Sequence, residues 1–420
     1  MFLQNNMKKA VVFTLGCKVN ECESDSLITG LKRAGYEVFD EFVPADLYIV
    51  NTCAVTSEAE KKSRQTASRI KKLNNNAKII FTGCATQKNP KSFLDKADGV
   101  LVTGVFSKNE ILAMLEKEGE FIFPCESEFE ELLPPSSLKT RAYVKIEDGC
   151  NNFCSYCIIP YLRGRVRSRN PINVKKEVEN LSAYEVILNG INISAYNYEG
   201  VRLSGLIRKL KDVKKRIRLG SIEVNVIDDE LLTALANLYD FAPHFHLSLQ
   251  SGSNAVLKSM NRKYTAEEFI NKVDLIRKYF PLAGITTDII VGFPTETEEN
   301  FIETLSLCSR VNFSDIHAFP FSKREGTVAY KMKDLPPEVK KERLSRLLKI
   351  KEDCKLSFAK QMENKTLWFL PEEEIDGYTE GYSENYLRLY VKEKVKGKKV
   401  KVKVVAPYKD GAIAVIDKGE

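Results

Sequence analysis

Histidine is scarce in this chain, three in 420 residues, and tryptophan occurs once. No apolar run approaches the ~18 residues a bilayer-spanning helix needs, so a membrane-embedded enzyme is excluded. The opening stretch MFLQNNMKKAVVF lacks the h-region and cleavage site of a secretory signal. A cytoplasmic location is therefore expected, with Met1 or Met7 as the natural start. A dominant charge sign is missing too: 64 basic residues against 57 acidic leave +7, which permits an anionic partner without demanding one. With 43% hydrophobic and 29% charged residues, the chain is not mostly disordered. Its length calls for two or three domains.

What the sequence does have is ten cysteines. A reducing compartment rules out a disulfide framework, which leaves metal ligands, reactive thiols or small core residues. Cys150, Cys154 and Cys157 form C-x3-C-x2-C within EDGCNNFCSYCIIP. Zinc usually takes four ligands, and no suitable fourth Cys or His lies nearby. Thiolates also hold iron–sulfur cubanes, and three of them leave one iron open to a small molecule. Such an iron can bind the amine and carboxylate of S-adenosylmethionine and pass an electron to its sulfonium. A second set is Cys17, Cys53 and Cys84, which end TLGC, IVNTC and IIFTGC. Each follows an apolar run of strand length (Ala10–Leu15, Leu47–Val50, Lys78–Phe81) and precedes a helix-like segment such as Ser24–Ala34 or Glu58–Lys72. In a parallel sheet these strand ends gather in one crevice. Cys354 lies on the apolar stripe Leu347, Ile350, Cys354, Phe358 and reads as core. Cys22, Cys125 and Cys308 receive no role. His246 and His317 fall within strands and read as core hydrogen-bonders.

The N-terminal α/β region is expected over 7–120, followed by the acidic, Pro-containing stretch CESEFEELLPPSSLKTR as a linker. Six strand candidates follow: Ala142–Ile146, Glu185–Leu188, Arg218–Val224, His244–Leu249, Ile285–Val291 and Asp315–Phe319. Helix-length stretches such as Val174–Leu181 and Ala266–Tyr279 separate them, which suits a partial (β/α)6 barrel over 136–363 ending in a basic helix, Glu338–Glu363. The first strand feeds the Cys150 loop, which places it at the C-terminal rim. Residues 364–420 alternate with period two and are expected to form a small antiparallel barrel. Leu387, Leu389 and Val391 share one face, with Arg388, Tyr390 and Lys392 on the other.

Lys399, Lys401 and Lys403 oppose Val400, Val402 and Val404. They form either a solvated face or, with Tyr378, Tyr382 and Tyr386 nearby, an RNA-binding one. Arg163, Arg165, Arg167 and Arg169 alternate beyond Cys157. In extended geometry they project together toward an anionic ligand, either nucleic acid or a carboxylate-rich partner.

CxxxCxxC with Tyr156 before its last cysteine resembles the radical S-adenosylmethionine superfamily. With TLGCKVNECES, NTCAVT, FTGC, GCNNFCSYCIIPYLRGRVRSR, HLSLQSGSNAVLKSMNRKYT and DIIVGFPTET, the chain resembles the methylthiotransferases over nearly its whole length. That resemblance implies a flavodoxin-like N-terminal domain, a partial β/α barrel and a C-terminal TRAM-like domain. It also implies two 4Fe–4S clusters, a radical one on Cys150, Cys154 and Cys157 and an auxiliary one on Cys17, Cys53 and Cys84. S-adenosylmethionine contacts implied in the same way are Tyr156, Asn189, Gly190, Ser221, Glu223 and Gln250. One S-adenosylmethionine would methylate a sulfur on the auxiliary cluster. A second would give the radical that takes hydrogen from adenine C2, so no acid–base dyad is expected. Lys18–Val19 after Cys17, and NTCAVT, look like the branch acting on threonylcarbamoyladenosine beside the tRNA anticodon. The implied partners are the tRNA anticodon stem-loop and an electron donor such as flavodoxin or ferredoxin, with the protein a monomer. Asn151–Asn152 and the short C-terminal region depart from the family pattern. The alternatives are isopentenyladenosine in tRNA, a ribosomal-protein aspartate, or a non-catalytic iron–sulfur RNA-binding or redox-sensing protein.

Overall fold

A computed structural model describes residues 7–96, 98–135, 140–395, 397 and 399–418. The chain divides into two compact units. The first holds residues through Ala183 with Asn189–Gly200 and Ser322–Tyr330; the second holds Tyr184–Leu188, Val201–Phe321 and everything from Lys331 onward. Among the described residues no helix is long and apolar enough to cross a membrane.

The first unit is built on β1 (Lys9–Thr14), β2 (Glu37–Phe39), β3 (Leu47–Thr52), β4 (Lys78–Gly83), β5 (Val100–Thr103) and β6 (Gly119–Phe121). They form one parallel sheet in the order β2-β1-β3-β4-β5-β6. The first five follow the flavodoxin-like order, in which the order reverses between β1 and β3. Every residue of β3 is buried, as a strand covered on both faces requires. Alternate side chains serve opposite faces. Val11, Tyr48, Val50, Ile79 and Phe81 pack with Ala67 and Ile70 of the helix Ser57–Leu73. On the other face Ala10, Val12, Leu47, Ile49 and Ile80 meet Leu27 and Leu31 of the helix Lys18–Arg33.

The acidic stretch expected as a linker is fastened to this unit. Glu130 Oε1 accepts from the Asn109 N–H (3.0 Å), Leu133 N–H donates to Ser26 Oγ (2.9 Å), and Thr29 Oγ1 donates to the Pro134 carbonyl (3.0 Å). The boundary expected at 136 lies outside the described residues. Beyond it, β7 (Arg141–Asp148) pairs antiparallel with β8 (Arg167–Ser168), and the Cys150 loop lies between them.

β9 (Glu185–Gly190) enters the second unit with its first four residues, and β10 (Asn197–Tyr198) and β11 (Val201–Arg202) are two-residue strands. The second unit continues with β12 (Arg216–Leu219), β13 (Ser221–Ile222), β14 (Asp240–Phe241), β15 (His244–Gln250), β16 (Gly284–Val291) and β17 (Asp315–Pro320). All their pairings are parallel: β12 lies between β14 and β9, and β13, β15, β16 and β17 follow in order. The single strand expected over 218–224 is thereby corrected. At Gly220 the chain leaves β9, donating a last N–H to the Leu188 carbonyl (2.8 Å), and Ser221 takes up pairing with β15. The helices Ala266–Tyr279 and Glu298–Val311 both start from reciprocal side-chain caps, at Thr265/Glu268 and Thr297/Asn300. The helix Pro337–Gln361 buries Leu347, Cys354 and Phe358 of the expected stripe and leaves Ile350 half-buried.

The chain ends in a closed five-stranded barrel of β18 (Thr366–Ile375), β19 (Tyr378–Ser383), β20 (Arg388–Val391), β21 (Val400–Tyr408) and β22 (Gly411–Ile416). Its core contains Leu387, Leu389, Val391, Val395, Val402 and Val404. Two expectations are corrected here. β20 and β22 run parallel, so the barrel is not wholly antiparallel. Tyr390 is buried rather than outward-facing, packed edge-on against Tyr378 and Tyr408 with its hydroxyl on Asp410.

Candidate active site

Cys17, Cys53 and Cys84 stand just past the C-terminal ends of β1, β3 and β4, three consecutive strands of the first sheet. The Asn20 amide ties two of these ends together, donating to the Leu15 carbonyl (2.8 Å) and the Thr52 carbonyl (3.1 Å). Gly16 lies so close to Cys53 that a Cβ on it would come within 3.1 Å of Cys53 Sγ. Cys17 is exposed while Cys53 and Cys84 are buried. Burial pushes the Cys53 thiol up to about 11, with the neighbouring Cys84 and Cys17 pushing the same way. Burial also raises Cys84, opposed by the Arg163 guanidinium. Neighbouring thiols ionise together only when a metal or cation shares their charge.

The second triad is a tight loop. Cys150 N–H donates to the Gly164 carbonyl (3.1 Å), and Cys157 N–H donates to the Cys154 carbonyl (3.0 Å). Gly149, at φ +86°, permits this closure, because a Cβ there would stand 2.0 Å from the Arg165 carbonyl oxygen. Cys150 Sγ accepts from Asn192 Nδ2 (3.8 Å), and the Asn192 N–H donates to Glu147 Oε2 (2.6 Å). Burial raises Cys150, and burial lifts the Glu147 carboxyl to about 8.

The expectation that four arginines project together is corrected. Arg163 closes a short helix, Ile159–Arg163, and is completely buried, bonded to Glu23, Asp148, Asn20 and Cys84. Arg167 is buried 3.6 Å from Asp148. Arg169 is buried between Glu131 and Glu177, 2.6 Å from each. The carboxylates that satisfy them come from distant segments, so the local spacing carried no sign of them. Only Arg165 stays exposed, over the Phe153 ring.

Among the positions implied for S-adenosylmethionine, Tyr156, Asn189 and Gly190 belong to the first unit. Tyr156 is half-buried in the cysteine loop and Asn189 is buried at the end of β9. A Cβ on Gly190 would meet the Glu147 carboxylate and carbonyl at 2.8 Å. Ser221, Glu223 and Gln250 belong to the second unit, at the ends of adjacent strands β13 and β15. Ser221 is exposed and Glu223 pairs with Arg262 at 2.9 Å. Gln250 holds a positive φ of 69° where the β15 register slips. A strained non-glycine residue at a strand end often marks a functional position. His246 bonds Thr286 and Asp288, while His317 is exposed rather than core.

On the C-terminal barrel Lys401 and Lys403 are exposed, whereas Lys399 is half-buried on Asp240 (2.6 Å). Lys399 and Lys401 flank the ring of Trp368, 4.5 and 5.3 Å from its centroid. Sequence reasoning missed Trp368, Glu147, Asn192 and Asn20. For Asn20 a signal was present, since it stands in the first turn of the helix that starts at Lys18, directly after Cys17.

Residues 144–308 match the Radical SAM superfamily, and residues 9–104 match an uncharacterized protein family, UPF0004. The threonylcarbamoyladenosine tRNA methylthiotransferase MtaB of Bacillus subtilis is 38% identical, over 96% of both chains. The MtaB of Thermotoga maritima is also 38% identical, over 89% of this chain and 90% of its own. A tRNA-2-methylthio-N(6)-dimethylallyladenosine synthase from a Thermoanaerobacter species is 37% identical, over 86% and 81%. Among solved structures, the radical S-adenosylmethionine methyltransferase TsrM from Kitasatospora setae aligns with a TM-score of 0.53 at 13% identity, covering 89% of this chain and 80% of that one. The cobalamin-dependent radical enzyme OxsB aligns at 0.56 and 13% identity, over 82% and 56%. Likeness at that identity bears on the fold alone. The class is thus a radical S-adenosylmethionine protein, whose members carry a 4Fe–4S cluster and S-adenosylmethionine. Within that class, the chain belongs to the methylthiotransferase family.

The residues present fit such clusters. All six cysteines of the two triads are free thiols, and each triad offers sulfur donors only. Among the described residues no three Cys, His, Asp or Glu side chains converge on a point that would grip a single ion.

Proposed function

We propose that this enzyme methylthiolates N6-threonylcarbamoyladenosine beside the anticodon of tRNA. The observation that carries the reading is full-length similarity to enzymes named for that reaction, together with two separate all-cysteine triads. When bound, two 4Fe–4S clusters and S-adenosylmethionine supply the methyl group, a site for the inserted sulfur and the means to break the adenine C2–H bond. Cys17, Cys53 and Cys84 hold the auxiliary cluster; Cys150, Cys154 and Cys157 hold the radical one. Each triad would supply three of the four thiolates that such a cluster usually takes.

Tyr156, Asn189, Gly190, Ser221, Glu223 and Gln250 position S-adenosylmethionine. Arg165, Lys401 and Lys403 attract the RNA backbone, and the half-buried Lys399 contributes through Trp368. The working domains are 7–120, 136–363 and 364–420. A flavodoxin or ferredoxin class protein supplies electrons to a cytoplasmic monomer. Relatives named for either nucleoside match, but the Bacillus subtilis threonylcarbamoyladenosine enzyme covers 96% of this chain against 86% for the Thermoanaerobacter dimethylallyladenosine one, and Lys18–Val19 beside Cys17 agrees with that choice.

Mass spectrometry of tRNA nucleosides from cells with and without the gene tests the reading. Loss of the 2-methylthio threonylcarbamoyl nucleoside on deletion, and its return on complementation, is expected. Loss of the isopentenyl counterpart instead would reassign the substrate. No nucleoside change would point to a protein substrate or a non-catalytic role.

A further inference from the structure

We infer that Arg163 is the positioning residue that holds the auxiliary cluster's electrostatic environment and ties it to the loop of the radical cluster. The inference rests on the proposed placement of that cluster on Cys17, Cys53 and Cys84. A guanidinium has five N–H donors in a fixed fork, and here every arm is engaged. Nη1 donates to Glu23 Oε1 (2.7 Å) and to Asp148 Oδ1 and Oδ2 (3.3 Å each). Nη2 donates to Asn20 Oδ1 (3.0 Å) and Glu23 Oε2 (3.3 Å). Nε points at Cys84 Sγ, 3.4 Å away.

This arrangement exceeds what an ion pair needs. Two carboxylates already satisfy the charge of Arg163, yet a third arm is spent on a sulfur. The Asn20 oxygen that it grips also accepts from Cys17 Sγ at 3.7 Å. One side chain therefore touches Cys84 directly and borders Cys17 through Asn20, whose oxygen accepts the Cys17 thiol proton only until that cysteine ligates as a thiolate. Its other end belongs to the second triad. Arg163 lies six residues past Cys157, its partner Asp148 lies two before Cys150, and the next carbonyl, Gly164, receives the Cys150 N–H.

The electrostatics point the same way. Buried charge is costly unless paired, and the cations Lys108, Lys145, Arg163 and Arg167 lie among the carboxylates Glu23, Asp148, Glu130 and Glu147. Of these cations Arg163 is the one hydrogen-bonded to Cys84, and a thiolate-bound iron–sulfur cluster is an anion of the sign that it favours. Hydrogen bonds to sulfur and nearby charge set cluster potentials. A fixed cation on Cys84 stabilises the electron-rich state, so removing it makes the cluster harder to reduce.

The test is a redox titration of the full-length, anaerobically reconstituted protein, poised with a low-potential viologen as the one-electron donor and read by electron paramagnetic resonance. A Cys154→Ala protein assigns the auxiliary component. At the poise where the wild-type auxiliary cluster is half reduced, Arg163→Gln is expected to lower the reduced-to-oxidised ratio at least tenfold, which is ~59 mV for a one-electron couple. Arg163→Lys is expected to restore part of it, and the radical cluster is expected to move less. A folded variant lacking only the auxiliary irons supports the same role. If Arg163→Gln does not fold, Glu23→Gln combined with Arg163→Met removes cation and carboxylate together and takes the reading. A wild-type protein with one cluster would overturn the functional reading. Two clusters with a ratio unchanged by either variant would overturn only the role of Arg163.

Discussion

Gly83 connects β4 to Cys84 at φ +106°, a conformation that an L side chain rarely adopts. Gly83→Ala would bring a Cβ to 2.6 Å from both Asn51 Oδ1 and the Thr52 carbonyl oxygen. With ψ at −161°, Gly83 holds a positive-φ extended backbone all but confined to glycine, and keeping a side chain there costs about 1–3 kcal/mol. Forcing a methyl into a packed site adds about 1–3 kcal/mol, so ~2–6 kcal/mol is expected in all. Gly35→Ala is the control, since φ is +87° there and nothing lies within 4 Å of the new methyl, leaving only the backbone cost. The strain at Gly83 falls on the residue that carries Cys84 and on the β3 end that carries Cys53. Tryptophan fluorescence cannot follow it, because the sole tryptophan, Trp368, lies in the other unit. Amide hydrogen exchange in β3 and β4 reads the stability, and iron content per chain reads the site. Gly83→Ala is expected to speed exchange well beyond Gly35→Ala and to drop iron from about eight to about four per chain, at four irons per cluster. Equal exchange and equal iron in the two variants would refute the steric argument.

Gly149→Ala, whose methyl would strike the Arg165 carbonyl, is expected to remove the other four-iron equivalent and with it cleavage of S-adenosylmethionine, read as loss of 5′-deoxyadenosine. Cys154→Ala is expected to abolish that cleavage, whereas Cys53→Ala is expected to retain it and block sulfur insertion; equal cleavage by wild type and Cys154→Ala would defeat the assignment. Lys401→Glu and Lys403→Glu are each expected to weaken tRNA binding and to reduce the slope of log affinity against log salt by about one, measured by filter binding. Glu147 titrates near 8 in the fold, so between the ordinary carboxyl range and pH 8 the folded state binds the extra proton. Stability should therefore fall as pH rises through that window and level above it, and Glu147→Gln should flatten the profile in urea titrations.

The alternation of strand and helix was legible because fully buried parallel strands such as β3 read as unbroken apolar runs. The three strand-end cysteines followed from that alternation. β2 and β6, three residues each, carry too little pattern to be read. The break at Gly220 did leave a trace, since the apolar residues change phase there, Ile217 and Leu219 on odd positions and Ile222 and Val224 on even ones, but a seven-residue stretch with alternating halves still resembles one strand. The arginine row misled because alternation describes a strand, whereas Arg163 ends a helix and its partners Glu23 and Asn20 lie some 140 residues away in sequence. Side-chain partnership over such distances leaves no trace in local spacing. Tyr390 was misplaced for a related reason: Asp410 gives its hydroxyl a partner, so the ring can be buried.

The account turns on two groups of three sulfurs acting independently. Quantifying iron and sulfide in anaerobically reconstituted protein, and in variants with all three cysteines of one triad or the other changed to alanine, tests it most directly. About eight irons in the parent and about four in each variant are expected, at four per cluster. A variant that keeps the parent's full iron, or a parent with only four, would contradict it.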